Sequence, residues 1–241
     1  GTIAGRLLKK RVIWTDHADL KYVFKNIQVI YKNPIAKLLY FVSKYANKII
    51  IVSQNEERLI AESLSGKTLS NSILIYNGIT DRSIKPKRDS ADKVPVFSLT
   101  SRLVDTKGIG EVLSASKLLE EDGIAHKVLL IGEGPEEMKY KEIAGESIVF
   151  MGYPQDALSY VAGSDVFVHP TYNEAFSLSL VEAAMLGMPV VTTAAGVNPE
   201  IIKDHLTGLL IEPRDDRALY RAMKELARHQ DIAQRYGSSL R

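Results

Sequence analysis

Two glutamates, Glu174 and Glu182, flank seven residues in the stretch HPTYNEAFSLSLVEAAMLGMPVVTT, His169 to Thr193. Between them, the N–H groups of Ala175, Phe176, Ser177 and Leu178 are left unpaired if a helix begins there, and with the helix dipole they favour an anion. A carboxylate beside an anion site needs a role of its own. Eight positions along a helix give roughly 80° of rotation, so the two carboxylates would not share a face even if both were helical. The paired acid and base of a hydrolase, facing one bond, are not what this spacing suggests. Upstream, Ser101-Arg102-Leu103-Val104-Asp105-Thr106-Lys107-Gly108 sets two cations in one loop. Guanidinium and ammonium groups suit a diphosphate and would stabilise charge building on a departing group. Taken alone, the same two residues are better read as solvated loop charges. Gly132-Glu133-Gly134-Pro135 is a third feature. Glu137 stands where GxGxxG requires its last glycine, so a nicotinamide-dinucleotide oxidoreductase loses support.

The elements that must carry these residues are readable from pattern. Asp165 to His169 is short, apolar and β-branched, and Pro170 bounds it, as expected of a buried strand. Ser177 can cap the next helix, Leu178, Val181 and Met185 recur at helical spacing, and Gly187 with Pro189 supplies a stop. Val190 and Val191 open another strand. This βαβ unit makes its two strands parallel and opens the helix N-terminus at the carboxyl edge of the sheet, where ligands bind. From Val94 onward the alternation continues. Strands are expected at VPVFSLT, HKVLLIG, SIVFMG, DVFVH, PVVTT and GLLIE, with helices near 109–121, 135–144, 155–162, 177–186, 198–203 and 215–229. The fold class is therefore α/β, with a doubly wound parallel sheet.

Composition sets outer bounds. The 241 residues are 45% hydrophobic and 25% charged, an ordinary globular balance. There is no cysteine, which removes disulfides, thiolate metal sites and cysteine nucleophiles, and fits a reducing compartment. No apolar run reaches membrane-spanning length, the opening GTIAGRLLKKRV has no signal-peptide core, and without an initiator methionine a fragment or processed form is expected. Net charge is +2, but residues 1–50 carry ten Lys and Arg against Asp16 and Asp19, a local charge of +8. A basic, aromatic-rich segment of this kind could rest on anionic lipid or attract an acidic acceptor. Packing onto a sheet explains its apolar positions equally well. No HExxH, cysteine cluster or Asp-x-Asp is present, so no metal is expected.

Within residues 1–80, Val12 to Trp14 and Lys48 to Val52 read as strands, and His17 would emerge at the carboxyl end of the first. Asn33-Pro34 opens one helix, and Ser53-Gln54-Asn55-Glu56 is a capping box for another that stops at Gly66. Ser72 to Tyr76 is a further strand. Residues 61–68, AESLSGKT, come within one residue of a phosphate-binding P-loop, but Ala61 replaces the first glycine and the segment follows a helix, not a strand. Thr80 to Lys93 is polar and charged, and is the best linker candidate.

The Glu-x7-Glu spacing in NEAFSLSLVEAAMLGMPVV resembles the signature of the retaining GT-B glycosyltransferases of family 4, the group 1 glycosyltransferases. The resemblance covers residues 94–229 well and residues 1–80 more weakly. It implies a GT-B fold with a partial N-terminal, acceptor-side Rossmann-like domain (1–80), a linker (81–93) and a C-terminal donor domain (94–241), both ends of the family's chain being absent. By the same resemblance, SRLVDTKG is similar to a loop contacting donor phosphates through its arginine and lysine, here Arg102 and Lys107. Gly132 and Gly134 would lie beside the nucleobase, with Gly152 and Tyr153 on its other side. Glu182 would bond the ribose hydroxyls, the 175–178 amides would hold phosphate, and Glu174 and His17 would face the transferred sugar. Ser101, Ala175 and Ser177 stand where relatives often have glycine. The implied activity is retaining sugar transfer, without metal, from a nucleotide diphosphate-sugar to a glycan or lipid-linked acceptor in polysaccharide or glycoconjugate biosynthesis. Cytoplasmic placement, peripheral at the inner face of a membrane, follows, and no nucleic acid partner is expected. A noncatalytic remnant that binds nucleotide sugar or a partner is the alternative. A nucleotide-sugar epimerase is a third reading, against which the glutamate pair argues.

Overall fold

The computed structural model describes residues 2–15, 45–63, 70–81, 83–88 and 93–241. They fall into two compact units, Gly1–Gly78 with Asn173–Phe176, and Ile79–Tyr172 with Ser177–Arg241. In the first, helix α1 (Thr2–Leu7) and strand β1 (Ile13–Thr15) are followed by β2 (Lys48–Ile51), α2 (Gln54–Ser63) and β3 (Ser72–Leu74). The strands are parallel in the order β1-β2-β3, with Trp14 opposite Ile49 and Ile50 opposite Ile73. β2 is the apolar middle strand because both its neighbours close over it: Ile49 and Ile51 are buried, and Val12, Trp14 and Leu74 pack against them. Trp14 donates its indole N–H to the Thr2 hydroxyl at 2.7 Å, which ties α1 to β1. The capping box forms with one change. The Glu56 N–H donates to Ser53 Oγ (3.1 Å), but the Glu56 carboxylate accepts from Val52 N–H (3.1 Å), one residue before the cap. His17, the Asn33-Pro34 helix and the Gly66 stop lie outside the described residues.

The second unit contains β4 (Val96–Thr100), α3 (Ile109–Glu121), β5 (Lys127–Ile131), α4 (Glu137–Ile143), β6 (Ile148–Gly152), α5 (Ala157–Ala162), β7 (Val166–His169), α6 (Leu178–Met185), β8 (Val190–Thr193), α7 (Asn198–Ile201), β9 (Leu209–Ile211), α8 (Asp216–Arg228) and α9 (Gln230–Leu240). All six strands are parallel, in the order β6-β5-β4-β7-β8-β9. This is the doubly wound order, with its reversal between β4 and β7. The strands are apolar throughout because both faces are covered. Phe97, Leu99, Val128, Leu130, Val168 and Val191 point into one core with α3, α4 and α8, while Val96, Leu129, Ile131, Phe167 and Val190 point into the other with α5 and α6.

Helix α6 is cut to length by its ends. Ser177 caps it by accepting the Leu180 N–H at 3.3 Å. At the other end Gly187 takes the left-handed conformation (φ 68°), and the Gly187 and Met188 amides bond to the Ala184 and Ala183 carbonyls. Leu180 and Ala183 form its buried face, where a fully buried leucine is worth roughly 1.5–3 kcal/mol. Residues 83–88, within the segment expected to link the domains, run along the second unit. Lys87 N–H donates to the Ser159 carbonyl (2.8 Å), and the Arg88 guanidinium bonds Asp165 (2.8 Å) and the Val94 carbonyl (2.9 Å). Helix α9 is a further finding, since no helix is expected after 229. Ala233 and Tyr236 are buried, and a side chain at Gly237 would meet the Gly187 carbonyl at 2.1 Å, so tertiary packing outweighs the weak helix formers Gly237, Ser238 and Ser239. No helix among the described residues is long and apolar enough to cross a membrane.

Candidate functional site

In the second unit the strand order reverses between β4 and β7, so the loops leaving the carboxyl ends of these strands border the crevice where doubly wound sheets bind ligands. The loop after β4 carries Arg102 and ends in a 3₁₀ turn, Asp105–Lys107. Arg102 is exposed, and its guanidinium has no hydrogen-bond or ion-pair partner among the described residues. Lys107 is half-buried.

This loop is fastened to the turn after β5. Ser101 N–H donates to the Ile131 carbonyl (3.1 Å), Leu103 N–H to the Glu133 carbonyl (3.0 Å) and Glu136 N–H to the Leu103 carbonyl (3.3 Å). Gly132 and Gly134 allow the contact: a Cβ at Gly132 would lie 1.9 Å from the Ser101 carbonyl oxygen, and one at Gly134 would lie 2.2 Å from that of Leu103. Gly132 N–H donates to the Gly152 carbonyl at 2.6 Å, joining the turn after β5 to the end of β6. Tyr153, next in sequence, is 71% exposed. Arg102, Gly132, Gly134 and Gly152 are thus brought together by backbone bonds across three adjacent strand ends.

On the other side of the reversal, Tyr172 N–H and the Thr171 hydroxyl both donate to the Thr106 carbonyl, at 2.9 and 3.2 Å. The Tyr172 hydroxyl donates to Glu111 of α3 at 2.6 Å, and the Arg214 guanidinium lies 4.2 Å from the centre of the Tyr172 ring. His169, buried at the end of β7, meets the Ser177 hydroxyl through Nε2 at 3.0 Å. Tyr172, Glu111, Arg214 and His169 were not among the residues that sequence reasoning selects. Tyr172 reads as a spacer two residues before Glu174, and no residue type announces Arg214.

Helix α6 begins at Leu178, which corrects the expected run of amides. The helix-terminal N–H groups are those of Leu178, Ser179 and Leu180, the last taken by Ser177, and Ala175 and Phe176 belong to the preceding loop. Leu178 is 49% exposed, Ser177 is buried, and Glu182 is half-buried within the helix. Glu174 is half-buried and precedes the helix. Residues Asn173–Phe176 are counted with the first unit, where Ala175 is buried and the Phe176 ring lies 6.3 Å from that of Tyr76.

Two phenols of the second unit are perturbed. Burial, then the bond to Glu111, pushes Tyr172 well above its ordinary value, and burial with a 2.7 Å bond to Glu136 does the same for Tyr140. The native chain then keeps protons that the unfolded chain releases above about pH 10, so this contribution to stability is whole below that pH and declines above it. Urea midpoints are expected to fall between about pH 9 and 11, and to fall less in a Tyr140→Phe/Tyr172→Phe double variant. Equal slopes in both proteins would place the loss elsewhere.

The family model described as "Glycosyl transferases group 1" matches residues 80–241. The chain belongs to the group 1 glycosyltransferases. Among relatives of this glycosyltransferase-family chain, the capsular polysaccharide biosynthesis glycosyltransferase CapM of Staphylococcus aureus is 24% identical over 223 residues, 82% of this chain and 59% of CapM. The gpi3 subunit of phosphatidylinositol N-acetylglucosaminyltransferase from Schizosaccharomyces pombe is 26% identical over 223 residues, 88% of this chain and 47% of that protein. The chain therefore spans about half to three-fifths of the length of these relatives. Anabaena HepE, solved with UDP and glucose, superposes with a TM-score of 0.84 at 20% identity, covering 100% of this chain and 68% of HepE. Sucrose-phosphate synthase from Thermosynechococcus elongatus superposes at 0.80 with 22% identity, covering 98% of this chain and 64% of that one. The fold class is accordingly that of the GT-B glycosyltransferases.

Proposed function

We propose that this chain carries the donor site of a retaining glycosyltransferase, which moves a sugar from a nucleotide diphosphate-sugar to an acceptor hydroxyl. The observation that carries the reading is the Arg102 and Lys107 loop, fastened at the strand reversal of a group 1 glycosyltransferase domain. In this reading both cations face the donor diphosphate and stabilise the charge that grows on it as the glycosidic bond breaks. The Leu178 and Ser179 amides add the positive end of α6. Glu182 bonds the ribose hydroxyls, Gly132, Gly134, Gly152 and Tyr153 border the base, and the family resemblance assigns Glu174 and His17, the latter outside the described residues, to the transferred sugar. No metal is assigned a part, because the cations and amides already meet the diphosphate charge.

CapM is a capsular polysaccharide biosynthesis glycosyltransferase and the gpi3 protein a subunit of phosphatidylinositol N-acetylglucosaminyltransferase, which supports a glycan or lipid-linked acceptor. The basic segment of residues 1–50 is the part that would rest on anionic lipid at the inner face of a membrane, and sedimentation with anionic vesicles at low salt tests it. Failure to sediment would remove the contact.

Calorimetry against a panel of nucleotide diphosphates and nucleotide sugars is expected to find one base bound saturably, with affinity reduced about tenfold or more in Glu182→Ala, since a lost bond to a charged group costs roughly 1.5–3 kcal/mol. Transfer assays, with and without a chelator, then separate turnover from binding alone. Because the chain spans 59% of CapM and 47% of the gpi3 protein, a donor-binding piece without turnover is the second reading, favoured if binding is saturable but no sugar moves. No binding by the folded chain to any nucleotide would remove both.

A further inference from the structure

Tyr172 is held from three directions by side chains and backbone. Its N–H donates to the carbonyl of Thr106, the residue before Lys107. Its hydroxyl donates to Glu111 in the first turn of α3, the helix that the Arg102 and Lys107 loop leads into. Its ring lies under the guanidinium of Arg214, in the turn between β9 and α8. The adjoining Thr171 is fixed as well, its carbonyl accepting the Thr193 hydroxyl at 2.5 Å.

Arg214 makes this arrangement hard to read as ordinary packing. Its backbone is left-handed (φ 68°), a conformation that disfavours any residue with a Cβ, and glycine would occupy it at no steric cost. Among the described residues the guanidinium makes no hydrogen bond or ion pair, and it lies over the Tyr172 ring. Backbone strain that persists at such a place points to a function for the residue that bears it.

We infer that Tyr172, set by Arg214 and Glu111, is a positioning residue for glycosyl transfer, holding the Lys107 turn to the segment that leaves β7. Lys107 lies one residue beyond Thr106, and Tyr172 three residues beyond His169, the last residue of β7. A residue whose N–H holds the Thr106 carbonyl while its hydroxyl holds Glu111 of α3 fixes how the Lys107 cation is presented at the sheet edge, and small displacements of such a group lower turnover more than they lower binding.

The inference rests on the transfer reading, and its test separates the two. The 241-residue chain is compared with Arg214→Gly, Tyr172→Phe and Tyr172→Leu for melting temperature, nucleotide diphosphate affinity, and kcat and KM with the donor identified by the panel. Arg214→Gly is expected to melt about 2–4 °C higher, because glycine accepts the left-handed backbone, yet to turn over about tenfold more slowly. A merely structural arginine cannot give that combination. Tyr172→Phe keeps the ring and loses the bond to Glu111, so kcat is expected to fall about tenfold, and Tyr172→Leu about a hundredfold, with nucleotide diphosphate affinity changed less than about threefold. Unchanged kcat in Arg214→Gly and Tyr172→Phe, or losses that only follow lowered melting temperatures, would overturn the positioning role while leaving the transfer reading intact. A starting chain that neither binds nor turns over any donor overturns the transfer reading, and the positioning role with it.

Discussion

Alanine at both Arg102 and Lys107 is expected to slow transfer by about a thousandfold or more while weakening nucleotide diphosphate binding only about tenfold to a hundredfold. The two effects differ because of where the cations sit. Arg102 is exposed, and an exposed cation gains little from a ground-state phosphate that water and salt already screen. In the proposed transfer, charge concentrates on the departing diphosphate as the glycosidic bond breaks, and groups already fixed at that point would stabilise it without reorganising. Fixing is what the loop provides: its backbone is bonded to the turn after β5 and, through Thr106, to Thr171 and Tyr172 after β7. Calorimetry at low and moderate salt, beside kcat measured with the same donor, tests the split. Equal losses in binding and in kcat/KM would mean that the cations hold substrate and transition state alike, and unchanged kcat would remove them from the reaction.

Where both faces of an element are apolar, or where a residue type has one dominant backbone use, the chain announces its fold. The strands of the second unit are legible because each is a short, mainly apolar or β-branched run bounded by glycine, proline or a polar turn, as parallel strands covered on both sides must be. The limits of α6 were legible from Ser177 and Gly187 for the same local reason. Its first turn was less so, since three candidate residues precede Leu178 and only the Ser177 bond to Leu180 decides among them. Helix α9 was hidden because Gly237, Ser238 and Ser239 argue against a helix locally, and what holds it is the burial of Tyr236 and the approach of Gly237 to Gly187, a contact across fifty residues. The site divides in the same way. Arg102, Lys107 and the glycine turn were visible as residue types in loops. Glu111, Tyr172 and Arg214 were not, because their pairing depends on α3, the β7 loop and the β9 turn meeting at one edge of the sheet.

Gly132→Ala is expected to cost about 3 kcal/mol or more, a large share of the 5–15 kcal/mol that stabilises an ordinary domain. Two penalties coincide at this residue. Its φ of 139° lies in a region that residues with a Cβ rarely adopt, and the added carbon would sit 1.9 Å from the Ser101 carbonyl oxygen, a backbone atom that cannot swing aside. Relief requires moving Ser101 away from Ile131, or Gly132 away from Gly152, and either breaks a bond that holds the Arg102 loop. Gly110→Ala is the control: on α3, with nothing within 4 Å of the added carbon, it is expected to stabilise by about 0.5–1 kcal/mol. Urea unfolding of the two variants beside the starting chain measures both signs, and a Gly132→Ala protein as stable as the starting chain would show that the two loops do not approach so closely. The outcome bears on how the glycine turn is understood. In the donor-site reading these glycines border a nucleobase, yet the loop contact alone already requires one at Gly132. Lost nucleotide binding in Gly132→Ala would therefore report displacement of the Arg102 loop as readily as a lost base contact. The two causes separate at Tyr153, which is 71% exposed and whose truncation would alter a base contact without disturbing that packing.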